Sequence, residues 1–247
     1  MQTIRKKDRS RTTANQVRAR IEAGGERLWR FDDFRDHPFT AVAQALSRMV
    51  RNGELQRLSK GTYYRPRQSK FGPTLPNQAN MRSLVARSKT LFPAGVAAAN
   101  QLGFTTQIVR QGEISTPSAS LPRKLIGTGT KVYTRRPDAW KRLTVEEAAI
   151  LDFLRRGGKD SELAPEETVR RIIDLLSKAD TYAHLTRIID SEPPRIRALL
   201  GALGEQLGAK RGMLDHLRKS LNPSSRFDFG IFTDMPNAKA WQAKGAH

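Results

Sequence analysis

One stretch of the chain spaces polar side chains in a way that suits the reading of DNA. Between Phe39 and Asn52, five polar residues recur at intervals that place them on one side of a helix. These residues are Thr40, Gln44, Ser47, Arg48 and Arg51. Glutamine pairs with adenine, arginine with guanine or phosphate, and serine or threonine with either kind of site. We therefore predict that this side of the helix enters the major groove of double-stranded DNA.

The opposite side of the same helix is apolar. Val42, Leu46, Met49 and Val50 follow the spacing of a helix face that packs on a core. The polar side, considered alone, also fits a helix surface that is merely solvated. The order of the neighbouring elements and the charge of the region favour DNA binding over that alternative.

The elements around this helix predict its setting. They are a helix from Thr13 to Gly24, a strand at 28–31, a short helix at 32–36, the helix at 39–52, and strands at 55–58 and 62–64 around a turn at 59–61. This order is that of a winged helix-turn-helix, in which the third helix lies in the major groove and the hairpin forms the wing. Trp29 and the two neighbouring tyrosines, Tyr63 and Tyr64, are predicted to belong to its core.

Basic side chains outside the third helix are expected to contact the DNA backbone. Arg57 and Lys60 lie on the predicted wing, and Arg18 and Arg20 lie on the first helix. Residues 1–12 are polar and basic and form a predicted arm. Phosphate contacts of this kind supply affinity, whereas the face of the third helix supplies specificity.

The net charge agrees with a polyanionic partner. The 247 residues contain 44 Lys and Arg against 24 Asp and Glu, a net charge of +20. Residues 1–75 carry +10, residues 76–140 carry +7, and residues 141–247 carry only +3. An arginine-rich proteome would spread the excess evenly, so the gradient favours a binding surface within the first 140 residues.

The middle and back of the chain predict a second domain. Segments of strand character lie at 106–110, 112–116, 124–126 and 131–134, with a hairpin turn at 127–131. Helices follow, the first of them opened by a capping box of Thr144 and Glu147, and 227–232 is a predicted closing strand. Basic residues around the hairpin either extend the DNA footprint or solvate strand edges; they are Arg123, Lys124, Lys131, Arg135 and Arg136.

These elements define the predicted fold class and domains. The fold is α+β, with an N-terminal winged helix-turn-helix, a mixed middle region and a helical C-terminal region. The boundaries place the DNA-binding domain at 1–72, an α+β domain at 73–235 with strands at about 105–135 and helices at about 144–221, and a loose tail at 236–247.

Several kinds of chemistry are not expected. The absence of cysteine excludes disulfides, thiolate metal sites and a thiol nucleophile. The four histidines lack zinc-binding spacing, and 127–131 lacks the ending of a phosphate-binding loop. We predict no catalytic residue, no cofactor and no metal. With neither a membrane-spanning run nor a secretory signal in the sequence, we expect a cytoplasmic protein.

Three segments together resemble a known family. They are residues 41–64, which contain Ala41-Val-Ala-Gln-Ala-Leu-Ser-Arg and Lys60-Gly-Thr-Tyr-Tyr64, the run Pro93-Ala-Gly-Val-Ala-Ala-Ala-Asn-Gln-Leu-Gly103, and the helix at 193–204. They resemble AbiE-type (AbiEi-like) antitoxins of bacterial type IV toxin–antitoxin and phage-defence systems. The resemblance implies an autorepressor that binds inverted repeats upstream of its own operon. It also implies neutralisation of a nucleotidyltransferase-like toxin, with or without a direct complex.

The resemblance assigns the DNA-reading role to Thr40, Gln44 and Arg48, and the wing role to Arg57 and Lys60. We therefore expect a sequence-specific transcriptional repressor that acts as an antitoxin. Two alternatives remain open at the level of sequence. One is a plain winged-helix regulator whose back third senses a ligand or dimerises, and the other is a nuclease or RNA-processing enzyme with a winged-helix targeting module.

Overall fold

The computed structural model describes residues 12–70, 72–74, 76–86, 89–108, 112–127, 129–178 and 180–245. The predicted N-terminal arm therefore lies outside the described residues, apart from Thr12. The chain forms two compact units, the first from described residues within 1–88 and 121–128, and the second from those within 89–120 and 129–247. The predicted α+β class is confirmed, since both units combine helices with small sheets.

The elements follow one another along the chain in this order. Up to residue 133 they are α1 (Thr13–Gly24), β1 (Leu28–Arg30), a 3₁₀ turn (Phe31–Phe34), α2 (Phe39–Arg51), β2 (Gln56–Ser59), β3 (Thr62–Tyr64), β4 (Gln68–Ser69), β5 (Gly72–Pro73), α3 (Gln78–Ala86), β6 (Phe92–Pro93), α4 (Val96–Gln101), β7 (Glu113–Ser115), α5 (Arg123–Ile126) and β8 (Lys131–Tyr133). After it they are a 3₁₀ turn (Asp138–Arg142), α6 (Val145–Arg155), α7 (Pro165–Ser177), α8 (Thr181–Arg187), a 3₁₀ turn (Ile189–Ser191), α9 (Pro194–Gln206), α10 (Arg211–Lys219) and 3₁₀ turns (Gly230–Phe232, Lys239–Trp241).

The core of the first unit lies between α1, α2 and a three-stranded sheet. Val17 and Ile21 of α1 meet Leu46 and Met49 of α2, and Trp29 of β1 is fully buried beside them. The sheet has the order β1-β3-β2 with antiparallel pairs. The predicted core positions of Trp29, Tyr63 and Tyr64 are confirmed, since all three are buried.

Thr12 caps α1, because its hydroxyl accepts from the backbone N–H of Asn15. One local detail of the first unit differs from the sequence prediction. The predicted short helix at 32–36 is a single 3₁₀ turn over Phe31–Phe34. In that turn the Asp33 carboxylate accepts from the backbone N–H of Arg30, which satisfies a donor at the start of the turn.

The boundary of the first unit was predicted at residue 72, and this prediction is wrong. The unit continues through α3, and it also includes the later segment at 121–128. That segment was predicted as a strand at 124–126, but it forms the short helix α5, which lies against α3 and β2. Its two apolar residues, Leu125 and Ile126, are buried. A short apolar run does not distinguish a strand from a helical turn, so only its packing decides between them.

The second unit has a small mixed sheet and a helical core. Its strands have the order β6-β7-β8, with β7 and β8 parallel. The predicted hairpin at 127–131 is wrong, because the segment before it, 124–126, lies in the helix α5 and not in a strand. Residues 106–108 are not a strand, and 109–110 lie outside the described residues. Helix α6 is central, since every residue from Ala148 to Leu154 is buried. The Thr144–Glu147 capping box that opens it is confirmed.

The predicted loose tail is packed into the second unit. Trp241 is 1% exposed, Ala238 is fully buried, and the Trp241 indole N–H donates to Glu205 on α9 at 2.8 Å. The predicted closing strand at 227–232 is instead an isolated bridge between Phe227 and Ala243 and a 3₁₀ turn. The burial of the Trp241 indole against α9 explains why the tail is packed, because this burial removes a large apolar surface from water.

Gly201 makes room for that indole. A Cβ at Gly201 would lie 2.0 Å from a Trp241 ring carbon, so we expect Gly201→Ala to destabilise the protein by about 1–3 kcal/mol through overpacking. Gly212→Ala on α10 is the matched control, because no atom lies within 4 Å of its Cβ position. We expect that control to be neutral or stabilising by up to about 1 kcal/mol. Urea unfolding of both variants measures the difference, and equal midpoints would contradict the packing of the tail.

Candidate nucleic-acid interface

Helix α2 presents the predicted polar side chains on one exposed face. Val42, Leu46 and Met49 are buried on its opposite face, as their spacing predicts. The five polar residues are all exposed, and none forms a side-chain hydrogen bond or ion pair with another residue in the described part of the chain. They are Thr40, Gln44, Ser47, Arg48 and Arg51. Their donors and acceptors are therefore available to a partner without breaking contacts to other described residues.

The hairpin of β2 and β3 lies in the same unit and carries two further exposed cations. Arg57 stands opposite Tyr63 in the register of the two strands, and Lys60 occupies the turn. Gly61 of that turn has a φ of +72°, which favours glycine, and Phe31 packs beneath it. Phe31 thus links the turn to the body of the unit. Neither Arg57 nor Lys60 is paired with another described residue.

Arg18 and Arg20 on α1 are exposed but already engaged. Arg20 donates to both carboxylate oxygens of Asp36, at 2.7 and 2.6 Å, and to the Asp33 carbonyl at 2.8 Å. The guanidinium holds the pKa of Asp36 at about 2, well below its usual range, mainly through this hydrogen bonding. Among the described residues, Arg18 makes one ion pair, with its guanidinium 2.6 Å from the Glu54 carboxylate. Exposed ion pairs contribute about 0–1 kcal/mol, so the single contact of Arg18 exchanges more readily for a phosphate than the clamp on Arg20.

The structure brings further basic residues close to the β2–β3 hairpin, although they are distant from it in the sequence. Helix α5 lies against β2, so Arg123 and Lys124 join the first unit beside the strand that carries Arg57. Both side chains are exposed. The other basic residues that the sequence places around the predicted turn at 127–131, Lys131 and Arg136 among them, belong to the second unit. No local signal links residue 124 to residue 57, because their proximity depends on the return of the chain.

Arg136 has a structural role in the second unit. Its guanidinium pairs with Asp152, whose carboxylate is 0% exposed and also accepts from the backbone N–H of Gly95 at 2.8 Å. Burial lowers the pKa of Arg136, and the charge of Asp152 acts in the opposite direction. A second ion pair of the same kind joins Arg155 to Glu192, and the Glu192 carboxylate also accepts from the Trp140 indole N–H. These arginines are unavailable to DNA because they neutralise buried carboxylates.

The second unit also contains an open apolar groove of about 520 Å³ between α8 and α10. Ile189, Met213 and Leu217 are among the residues that line it, and Arg187 and Lys210 are exposed at its rim. His216 at the same rim is 3.0 Å from Asp190. The groove is within the size range of small-molecule sites, and its walls are mostly apolar.

Among the described residues, no group of three or more His, Asp or Glu side chains is placed to hold a metal ion. No helix in the described part of the chain is both long and apolar enough to cross a bilayer.

Comparisons with known proteins place the chain in a family. A model described as "Family of unknown function (DUF6088)" matches residues 26–184, which is more than half of the chain. No curated protein matches. The chain is similar to a solved structure described as the crystal structure of the RV2827C protein from Mycobacterium tuberculosis, at 18% identity and a TM-score of 0.43, with 89% of this chain and 85% of that chain covered. By the extent of the family match, this protein belongs to the DUF6088 family.

Proposed function

We propose that the protein binds double-stranded DNA in a sequence-specific manner through its first unit, as a winged helix-turn-helix, and represses its own operon. One observation carries the proposal: α2 buries its apolar face and leaves exposed a row of polar side chains that have no partner among the described residues, beside a hairpin with exposed cations. We also propose a cytoplasmic location, where a repressor of its own operon would meet its DNA. The net charge of +20 supports the same partner, because DNA is a polyanion.

The proposed contacts divide into two classes. Thr40, Gln44, Ser47 and Arg48 would read base edges, since serine, threonine, glutamine and arginine match the donors and acceptors of the major groove. Phosphate contacts would come from Arg51, Arg57, Lys60 and Arg18, and from Lys124 on α5. Arg20 contributes indirectly, because its clamp on Asp36 fixes the start of the α2 region.

Selection from a random-sequence DNA pool with the purified protein tests this proposal. We expect one enriched motif, and the enriched DNA is called the selected duplex below. Its affinity should fall with salt by about 0.9 log unit per log unit of salt for each phosphate contact. Lys60→Ala should lower that slope by about 1 while leaving the preferred sequence unchanged. A pool that returns no motif would refute sequence-specific binding.

We also propose that the protein is the antitoxin of an AbiE-like system, with a nucleotidyltransferase-like toxin as its functional partner. The three segments that resemble AbiE-type antitoxins support this part of the proposal. Co-expression with the gene next to its own tests it, with recovery of growth as the expected result. Growth arrest that the protein does not relieve would refute the antitoxin role and leave DNA binding untouched.

A second candidate is a plain regulator whose second unit senses a small molecule. The apolar groove between α8 and α10, with Arg187 and Lys210 at its rim, favours this candidate. The two functions differ in one observable. An antitoxin restores growth against the neighbouring toxin, whereas a ligand-sensing regulator changes its affinity for the selected duplex when a small apolar anion is added.

A further inference from the structure

The first residue of α2 carries an aromatic ring that the fold leaves in solvent. Phe39 is 67% exposed. Every other phenylalanine, tyrosine and tryptophan in the described part of the chain is buried or only partly exposed. The remaining large apolar side chains exposed there are Ile108 and Val145, both in the second unit. Among the described residues of the proposed DNA-binding unit, Phe39 is therefore the one exposed aromatic side chain.

The ring of Phe39 is held rather than free. Its centroid lies 4.7 Å from that of Phe31, with the two planes tilted by 42°. Phe31 in turn makes an edge contact with Tyr63 at 6.0 Å and supports the turn at Gly61. The three rings form a connected row from the start of α2 to the hairpin. A side chain supported in this way loses little rotamer freedom when it contacts a partner.

The position of Phe39 matches the end of a recognition helix that meets the bases. It directly precedes Thr40 and lies three residues before Val42, so its ring stands at the exposed N-terminal end of the apolar face of α2, next to the first residue of the polar face. In helix-turn-helix proteins the N-terminal residues of the recognition helix contact base edges. A phenyl ring has no hydrogen-bond donor for a phosphate. The apolar group that the major groove offers is the C5-methyl group of thymine.

We propose that Phe39 contacts the C5-methyl group of a thymine, and that the DNA sequence preferred by this protein carries a thymine at the corresponding position. This inference rests on the proposed function and adds a specificity-determining residue to it. Phe39 would supply an apolar contact at the start of α2, and Gln44 and Arg48 would supply hydrogen bonds further along the helix.

Deoxyuridine substitution tests the contact, because it removes only the methyl group. Each thymine of the selected duplex is replaced in turn by deoxyuridine, and binding of the wild-type protein is measured. We expect about a fourfold loss of affinity at one position, the value for one methyl-sized group taken out of water. Phe39→Ala should bind the unmodified duplex more weakly and show no loss at that position.

Two further variants make the result specific. Phe39→Gln keeps a helix-compatible side chain without an apolar tip, so it gives the same answer if the alanine variant fails to fold. Val145→Ala removes an exposed apolar side chain at the start of α6 in the second unit and should keep the full sensitivity to deoxyuridine.

The outcomes separate this inference from the proposed function. If selection returns no motif, sequence-specific binding is refuted as a whole. If a motif is found but no deoxyuridine substitution weakens binding, or if Phe39→Ala retains the wild-type sensitivity, the thymine contact alone is overturned. Loss of self-association in Phe39→Ala, seen by sedimentation without a change in deoxyuridine sensitivity, would reassign the ring to an interface between copies of this chain.

Discussion

Replacing Gln44 and Arg48 together by alanine is expected to abolish the preference for the selected duplex and to leave weak, salt-sensitive binding to any DNA. Each bidentate base contact is worth about 1–3 kcal/mol. The loss of two such contacts therefore lowers the affinity for the selected duplex by about 30-fold or more. Binding to unrelated DNA depends on phosphate contacts, which the remaining cations keep. Competition between the selected duplex and a scrambled duplex measures the effect.

The structure offers a matched control for this double variant. Gln101 ends α4 and Arg170 lies on α7, and both side chains are exposed in the second unit. Gln101→Ala with Arg170→Ala removes the same chemical groups and the same charge, so any change due to net charge alone is reproduced there. Both double variants should unfold at the wild-type midpoint, because substitutions at exposed positions stay within about 0.5 kcal/mol. A Gln44/Arg48 variant that discriminates as the wild type does would exclude α2 as the reading helix.

Replacing Asp152 by alanine is expected to destabilise the protein by about 3–5 kcal/mol. The Asp152 carboxylate is fully buried, and burial raises its pKa against the opposing effects of the Gly95 N–H and Arg136. Its removal leaves the Arg136 guanidinium, whose side chain is only 14% exposed, without its counter-ion. It also leaves the Gly95 N–H without its acceptor. Since whole domains are stable by about 5–15 kcal/mol, urea unfolding will detect this loss readily.

Two comparisons identify the cause of that loss. Asp138→Ala removes an aspartate from an exposed pair with Lys141, at 2.8 Å, and should change stability by no more than about 1 kcal/mol. Replacing both Asp152 and Arg136 by apolar residues of similar size should recover most of the stability, because no charge is then left unpaired. If Asp152→Ala behaves like Asp138→Ala, the buried pair is not what holds this part of the second unit together.

Local patterns predicted the parts of the fold that depend on near neighbours in sequence. The spacing of Val42, Leu46 and Met49 predicted which face of α2 is buried, since residues three and four apart share one side of a helix. The turn at 59–61 and the Thr144–Glu147 capping box were predicted because their hydrogen bonds join residues two to four apart. In the same way, the exposed positions of Gln44 and Arg48 followed from the buried ones.

Patterns of that kind failed where the outcome depended on distant residues. The segment at 124–126 has no periodicity of its own, and its packing against α3 and β2 made it a helix of the first unit. Residues 236–247 were predicted to be a loose tail, but the described part of this segment packs against α9. Gly201 on α9 leaves the space that Trp241 occupies, and no sequence pattern near residue 241 indicates that this space exists.

The basic residues show the same division most clearly. The sequence by itself determined the amphipathic helix at 39–52, its polar face and the excess of positive charge in the first 140 residues. Only the tertiary structure decided which cations are exposed without a partner among the described residues, as Lys60 is, and which neutralise a carboxylate, as Arg136 and Arg20 do. The physical reason is that helix periodicity is a property of adjacent turns. The pairing of a charge depends instead on residues that folding brings together, such as Asp152 and Arg136 across the second unit.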